Sequence, residues 1–261
     1  MSGRATKEAE MRFDDDLEPV SPALRERLAP SGTLRAGINL SNFLLVSART
    51  PDGGPAGVSP DLARAVADRL GVPVRYVPYA SPALLADAAG RDEWDIGLVG
   101  AEPQRAETVA FTPAYAEIEA TYLVPAGSPL TSIAEVDAPG VRIAVTGKTA
   151  YGLWLDRNIH RAELVRTGTM DETFADFRDK GLEALAGLRA RLITDVAQLP
   201  GARILDGRFM VVQQAIGIAR NGDAQTDAAV AWLTRFVEVA KTSGLIAGLI
   251  AKHGVEGLSV A

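Results

Sequence analysis

From Thr33 onward the chain alternates short β-branched runs with amphipathic stretches, and that alternation leaves few folds open to it. Leu34-Arg35-Ala36-Gly37-Ile38-Asn39 reads as a strand ending in a polar residue. A loop rich in Gly and Pro follows, and the pattern then predicts a helix over 61–70. Leu62, Ala65, Val66 and Leu70 share one face of it, and Gly71 is suited to end it. A strand over 72–77, a helix over 82–89 and a buried strand over 94–100 come next. Further strands are expected at 120–125, 141–145, 164–166, 183–188, 203–205 and 215–219. The helices expected between and after them are 133–136, 149–158, 171–178, 190–198, 224–243 and 245–252. Such alternation predicts an α/β chain with mostly parallel sheets covered on both faces. It is interrupted near 115–120 and 212–216, so two α/β sets are expected, the chain leaving the first and returning to it. There is no internal repeat.

Composition narrows the function classes. With 47% hydrophobic and 23% charged residues in 261, there is enough apolar material for a sizeable core. The net charge of −6 argues against nucleic acid or an anionic membrane surface as partner. It leaves a small anionic ligand possible, because one or two arginines make a pocket locally positive. The absence of cysteine excludes disulfides, thiolate catalysis and Cys-based metal sites. His160 and His253 show no ligand spacing, and neither metal nor cofactor is expected. Residues 1–30 read as a polar tail with one short helix at 23–28. The first residues are acidic and lack the apolar core of a secretory signal, and no run of 18 apolar residues could span a membrane. The sequence as written therefore points to the cytoplasm unless a signal has been removed.

Four segments in order carry a resemblance. They are Gly57-Val58-Ser59-Pro60-Asp61-Leu62-Ala63; Trp94-Asp95-Ile96 with Arg105 and Phe111-Thr112-Pro113-Ala114-Tyr115; 141–149; and Gly217-Ile218-Ala219 with Asn221-Gly222-Asp223. Together they resemble the polar amino-acid-type periplasmic solute-binding proteins, family 3, the soluble receptors of ABC importers. The resemblance runs from about Leu34 to Gly254. It implies a two-lobed, type II periplasmic-binding-protein-like α/β fold with two hinge strands, closing on a ligand. By its spacing, lobe 1 takes 31–114 plus 217–261, lobe 2 takes 120–211, and the hinges are 115–119 and 212–216. It also implies a periplasmic monomer that serves an ABC permease without inserting in the membrane.

The same resemblance implies a site. Arg105 matches the arginine that pairs with the ligand carboxylate, a role suited to the planar guanidinium fork. The Thr/Ser pair usual before that arginine is missing from Gly100-Ala101-Glu102-Pro103-Gln104. Backbone N–H groups near Gly100 and Ala101 are the candidates to replace it, and Glu102 competes for Arg105. Thr146-Gly147-Lys148-Thr149 stands between a strand and a helix, a natural anion seat. It is not a P-loop, since Arg142 stands where a glycine is required. Thr149 either caps the helix or meets the ligand, with Lys148 as a further cation. Where amino-acid receptors of the family hold an aspartate for the ligand amine, this chain has Leu188 and then Arg189. A small anion clamped by Arg105 and Arg189 is expected rather than a simple amino acid. Asn39, Asn42, Phe43 and Tyr79 are candidate lining residues, Phe43 being equally a core candidate, and Tyr115 is expected to pack at the hinge. Two other readings stay open. One is a cyclohexadienyl or arogenate dehydratase on the same fold, set back because 188–191 contain no carboxylate. The other is a soluble metabolite sensor.

Overall fold

The structure is a computed structural model describing residues 17–261, so the first part of the expected tail, 1–16, lies outside the described residues. In chain order the elements are α1 (Pro22–Leu28), β1 (Leu34–Asn39), β2 (Ala48–Arg49), β3 (Pro55–Ala56), α2 (Val58–Leu70), β4 (Val74–Tyr79) and α3 (Pro82–Asp87). Then come β5 (Ile96–Gly100), a 3-10 turn at Arg105–Glu107, β6 (Val109–Phe111), β7 (Ala116–Val124), a 3-10 turn at Ile133–Glu135 and β8 (Arg142–Thr146). The chain continues through α4 (Ala150–Asn158), β9 (Glu163–Thr167), α5 (Met170–Asp179), β10 (Ala184–Leu188), α6 (Arg189–Val196) and β11 (Arg203–Ile204). It closes with β12 (Met210–Ala219), α7 (Ala224–Thr242), α8 (Leu245–His253) and β13 (Ser259–Val260). The chain forms two compact units, one of residues 17–117 and 213–261 and the other of 118–212. It passes between them twice, inside β7 and inside β12.

In the first unit β1 lies between β4 and β5, parallel to both. β12 runs antiparallel to β5, pairing Gln214 with Gly100, and β6 is antiparallel to β12. The apolar stripe of α2 (Leu62, Ala63, Val66, Ala67 and Leu70) is wholly buried, beside the buried β1 residues Leu34, Ala36 and Ile38. A fully buried Leu or Ile contributes about 1.5–3 kcal/mol. Gly71, in the left-handed conformation, stops α2 by returning its N–H to Ala67 and Asp68. Arg35 binds the buried Asp95 through its backbone N–H at 2.7 Å and its guanidinium at 2.7 Å, tying β1 to the approach of β5.

The second unit repeats this logic. β8 lies between β9 and β10, parallel to both, and β10 runs antiparallel to β7. Its core gathers Leu123, Ala144, Phe174, Phe177, Leu182, Leu185 and Leu192. A reciprocal cap between Thr169 and Glu172 sets the start of α5.

Two expectations need correction. The sheets are mixed rather than mostly parallel, because β7 and β12 run against their neighbours. Those two strands also reach beyond the predicted 120–125 and 215–219: Glu117 and Glu119 in β7, and Gln213 and Gln214 in β12, are polar residues that mask strand periodicity.

Candidate functional site

Parallel strands in α/β sheets present their carboxyl ends to ligands. In the first unit Ile38 is in register with Leu98, so β1 and β5 end together at Asn39 and Gly100. Just past β5, Ala101 donates its N–H to Gln213 O at 2.7 Å, so that group serves the sheet. Arg105 opens the 3-10 turn with 5% of its surface exposed, and its Nη1 donates to Gly100 O at 2.7 Å. Burial lowers its pKa to about 10, with the charges of Glu102 and Asp87 working the other way. It remains a cation at neutral pH. Glu102 is also buried, and its Oε2 accepts from the N–H of Gln104 at 3.0 Å.

Asn39 and Asn42 shape the loop after β1. Asn39 Oδ1 accepts from the N–H and hydroxyl of Ser41, at 3.2 and 2.8 Å. Asn42 Oδ1 accepts from Leu44 N–H at 3.2 Å. Phe43, which follows Asn42, is 39% exposed, so of its two readings the core one drops out. Tyr79 donates to Glu93 at 2.8 Å, and Tyr115 is fully buried with its hydroxyl 3.1 Å from Ser59 Oγ.

In the second unit β8 and β10 are parallel neighbours that end at Thr146 and Leu188. The Thr146–Thr149 turn holds Lys148 at a φ of 58°, an uncommon conformation for a residue with a side chain. The Thr149 hydroxyl accepts from Gly152 N–H at 3.0 Å and donates to Thr146 O at 2.8 Å. That hydroxyl caps α4. Leu188 is buried, while Arg189 turns toward β7, giving Nε to Glu119 at 2.7 Å and Nη2 to Gly207 O.

The sequence reading missed a small cavity inside this unit, at the ends of β8 and β10. Thr146, Tyr151, Thr173, Arg191 and Asp195 give it a polar lining, with Leu185 and Leu192 beside them. Arg191 reaches Asp195 at 2.8 Å and Asp171 at 2.8 Å. Burial raises the pKa of Asp195, with Arg191 opposing the rise. Beyond the carboxylate-free stretch 188–191, α6 therefore carries a buried carboxylate, Asp195, four residues after Arg191. The i,i+4 spacing of Arg191 and Asp195 was the available signal.

Among the described residues no group of three or more His, Asp and Glu could hold a metal, and no helix is long and apolar enough to cross a membrane. No curated protein matches this sequence. Solved structures do match in fold. A mutant of ArgBP from T. maritima aligns with a TM-score of 0.69 and 19% identity, over 89% of this chain and 100% of that one. A putative ABC-transporter binding component from Wolinella succinogenes, complexed with lysine, gives 0.69 and 20%, over 85% and 95%. An ancestral amino acid-binding protein, a precursor of cyclohexadienyl dehydratase, gives 0.68 and 23%, over 87% and 98%. The fold is thus the two-lobed type II α/β fold of periplasmic binding proteins. The sequence profile of one family matches residues 34–256, most of the chain. The chain belongs to the bacterial extracellular solute-binding proteins, family 3.

Proposed function

We propose that this protein is a solute receptor for an ABC importer, acting as a monomer, and that its ligand is a small carboxylate-bearing, amino-acid-like metabolite. The observation that carries the reading is Arg105: a cation buried at the carboxyl end of β5, oriented by its bond to Gly100 O. Burial lowers its pKa against the charges of Glu102 and Asp87, and a buried, oriented guanidinium fork at a strand end suits a carboxylate. Phe43 supplies an exposed apolar surface in the same unit. In the other unit, Lys148 and Arg189 are the candidate cations.

One observation favours a second reading, catalysis of dehydration. Asp195 is a buried carboxyl whose protonated form is favoured, the property a general acid requires. Its pairing with Arg191 and the family's character favour the receptor.

The test is a thermal-shift and calorimetric screen of amino acids, mono- and dicarboxylates, prephenate and arogenate. A ligand at 100 times its Kd stabilises the native state by about 2.7 kcal/mol. Arg105→Lys keeps the charge but loses the two-pronged fork, and a loss of affinity of about tenfold or more is expected. A screen in which no carboxylate binds, or in which Arg105→Lys leaves every affinity intact, ends the proposal. Turnover of prephenate or arogenate that disappears in Asp195→Asn selects the enzyme instead.

A further inference from the structure

The cavity inside the second unit, at the ends of β8 and β10, is lined by polar groups whose hydrogens can be assigned one by one. The Thr173 hydroxyl gives its single hydrogen to Thr169 O at 2.7 Å, so toward Thr146 Oγ1, also at 2.7 Å, it can only accept. Thr146 therefore spends its own hydrogen on Thr173. The Thr149 hydroxyl gives its hydrogen to Thr146 O at 2.8 Å. Tyr151, buried beside the hydroxyls of Thr146 and Thr149, finds acceptors there and no donor. Asp195 lines the same cavity with 2% of its surface exposed. Its Oδ1 accepts from Arg191 Nε at 2.8 Å, and among the described residues no group donates to its Oδ2. A buried carboxylate oxygen without a donor is costly, so one must be supplied.

We propose that this cavity is a binding site for one structural water, held by Asp195 Oδ2 and the Thr146 and Tyr151 hydroxyls, which braces the Thr146–Thr149 turn against α6. The room is about that of a single water molecule, and a buried water takes about two to four polar partners. The excess of acceptors decides the ligand. An anion would bring a further acceptor to a carboxylate. A cation would stand next to Arg191, which already bridges Asp195 and Asp171. Water gives two hydrogens and accepts the one that Tyr151 has to spare. Thr146 ends β8, Tyr151 belongs to α4 and Asp195 to α6, so three elements of the one unit meet on this molecule. Nothing in the site depends on which solute the protein takes.

The experiment is a set of high-resolution crystal structures of wild type, Tyr151→Phe and Asp195→Leu, the last nearly matching aspartate in shape without its oxygens. In wild type an ordered water is expected roughly 2.5–3.0 Å from Asp195 Oδ2 and from Thr146 Oγ1 or Tyr151 Oη. It should persist in Tyr151→Phe, where the carboxylate and Thr146 still hold it, and be lost in Asp195→Leu. A wild-type cavity without water, a direct bond from Asp195 to Thr146 or Tyr151, or a water that follows Tyr151 rather than Asp195 overturns the proposal. Should Asp195→Leu not fold, the first two structures decide alone.

Discussion

Gly57 is the residue whose replacement the structure condemns most clearly. It is the N-cap of α2 and has a φ of 150° and a ψ of −170°, a region essentially reserved for glycine. A Cβ placed there would lie 2.3 Å from Leu45 O and 2.9 Å from both Leu45 C and Ser47 N. These are backbone atoms, so no side chain can swing aside. Leu45 O also accepts the N–H of Ser59 at 3.1 Å, a bond that joins the loop after β1 to the first turn of α2. For Gly57→Ala, the backbone conformation alone costs about 1–3 kcal/mol. Overpacking against a fixed carbonyl adds about 1–3 kcal/mol. The sum, about 2–6 kcal/mol, corresponds to a fall in Tm of roughly 4–24 °C at 2–4 °C per kcal/mol for a chain of this size. Because the displaced segment begins at Asn42 and Phe43, affinity for the solute should fall too. Urea unfolding, thermal melts and calorimetry test this together. A Gly57→Ala protein within about 1 kcal/mol of wild type, with unaltered binding, would refute the steric argument.

Two further outcomes follow from charges inside the first unit. Arg35→Ala leaves the buried Asp95 the backbone N–H of residue 35 but no guanidinium; a loss of about 3 kcal/mol is expected in urea unfolding. Asp61 opposes its own burial by binding Lys252 at 2.7 Å and His253 at 2.8 Å, and those two partners hold its pKa below the ordinary value. A lowered carboxylate pKa adds stability above the unfolded value of about 3.9 that disappears as pH falls through the folded value. Asp61→Asn should therefore lower the urea midpoint at pH 7, and its difference from wild type should shrink between pH 7 and pH 3. Equal differences at both pH values would contradict the linkage.

Much of the fold was legible because its signals are local. The α2 stripe and Gly71 specify a helix and its end within 14 residues, and the N-cap glycine at 57 stands in the very segment that carried the family resemblance. The capped turn at Thr149 was legible for the same reason, as one of two readings. What escaped depends on pairing across the chain. The reach of β7 and β12 is decided by their neighbours rather than by their own polar residues. The site divides in the same way. Arg105 is nominated by motif position, whereas the partner of Arg189 lies 70 residues away on a strand, and no local pattern joins Glu119, Arg189 and Arg208. Asp195 was overlooked for a subtler reason. The family's acid is expected at the end of β10, whereas a helix returns a side chain to the same face four residues later, as Asp195 does to Arg191. With Leu188 ending β10, α6 still brings a carboxylate, Asp195, into this region, behind Arg191. Around the start of α6 the charges are thus paired, Arg191 with Asp195 and Arg189 with Glu119.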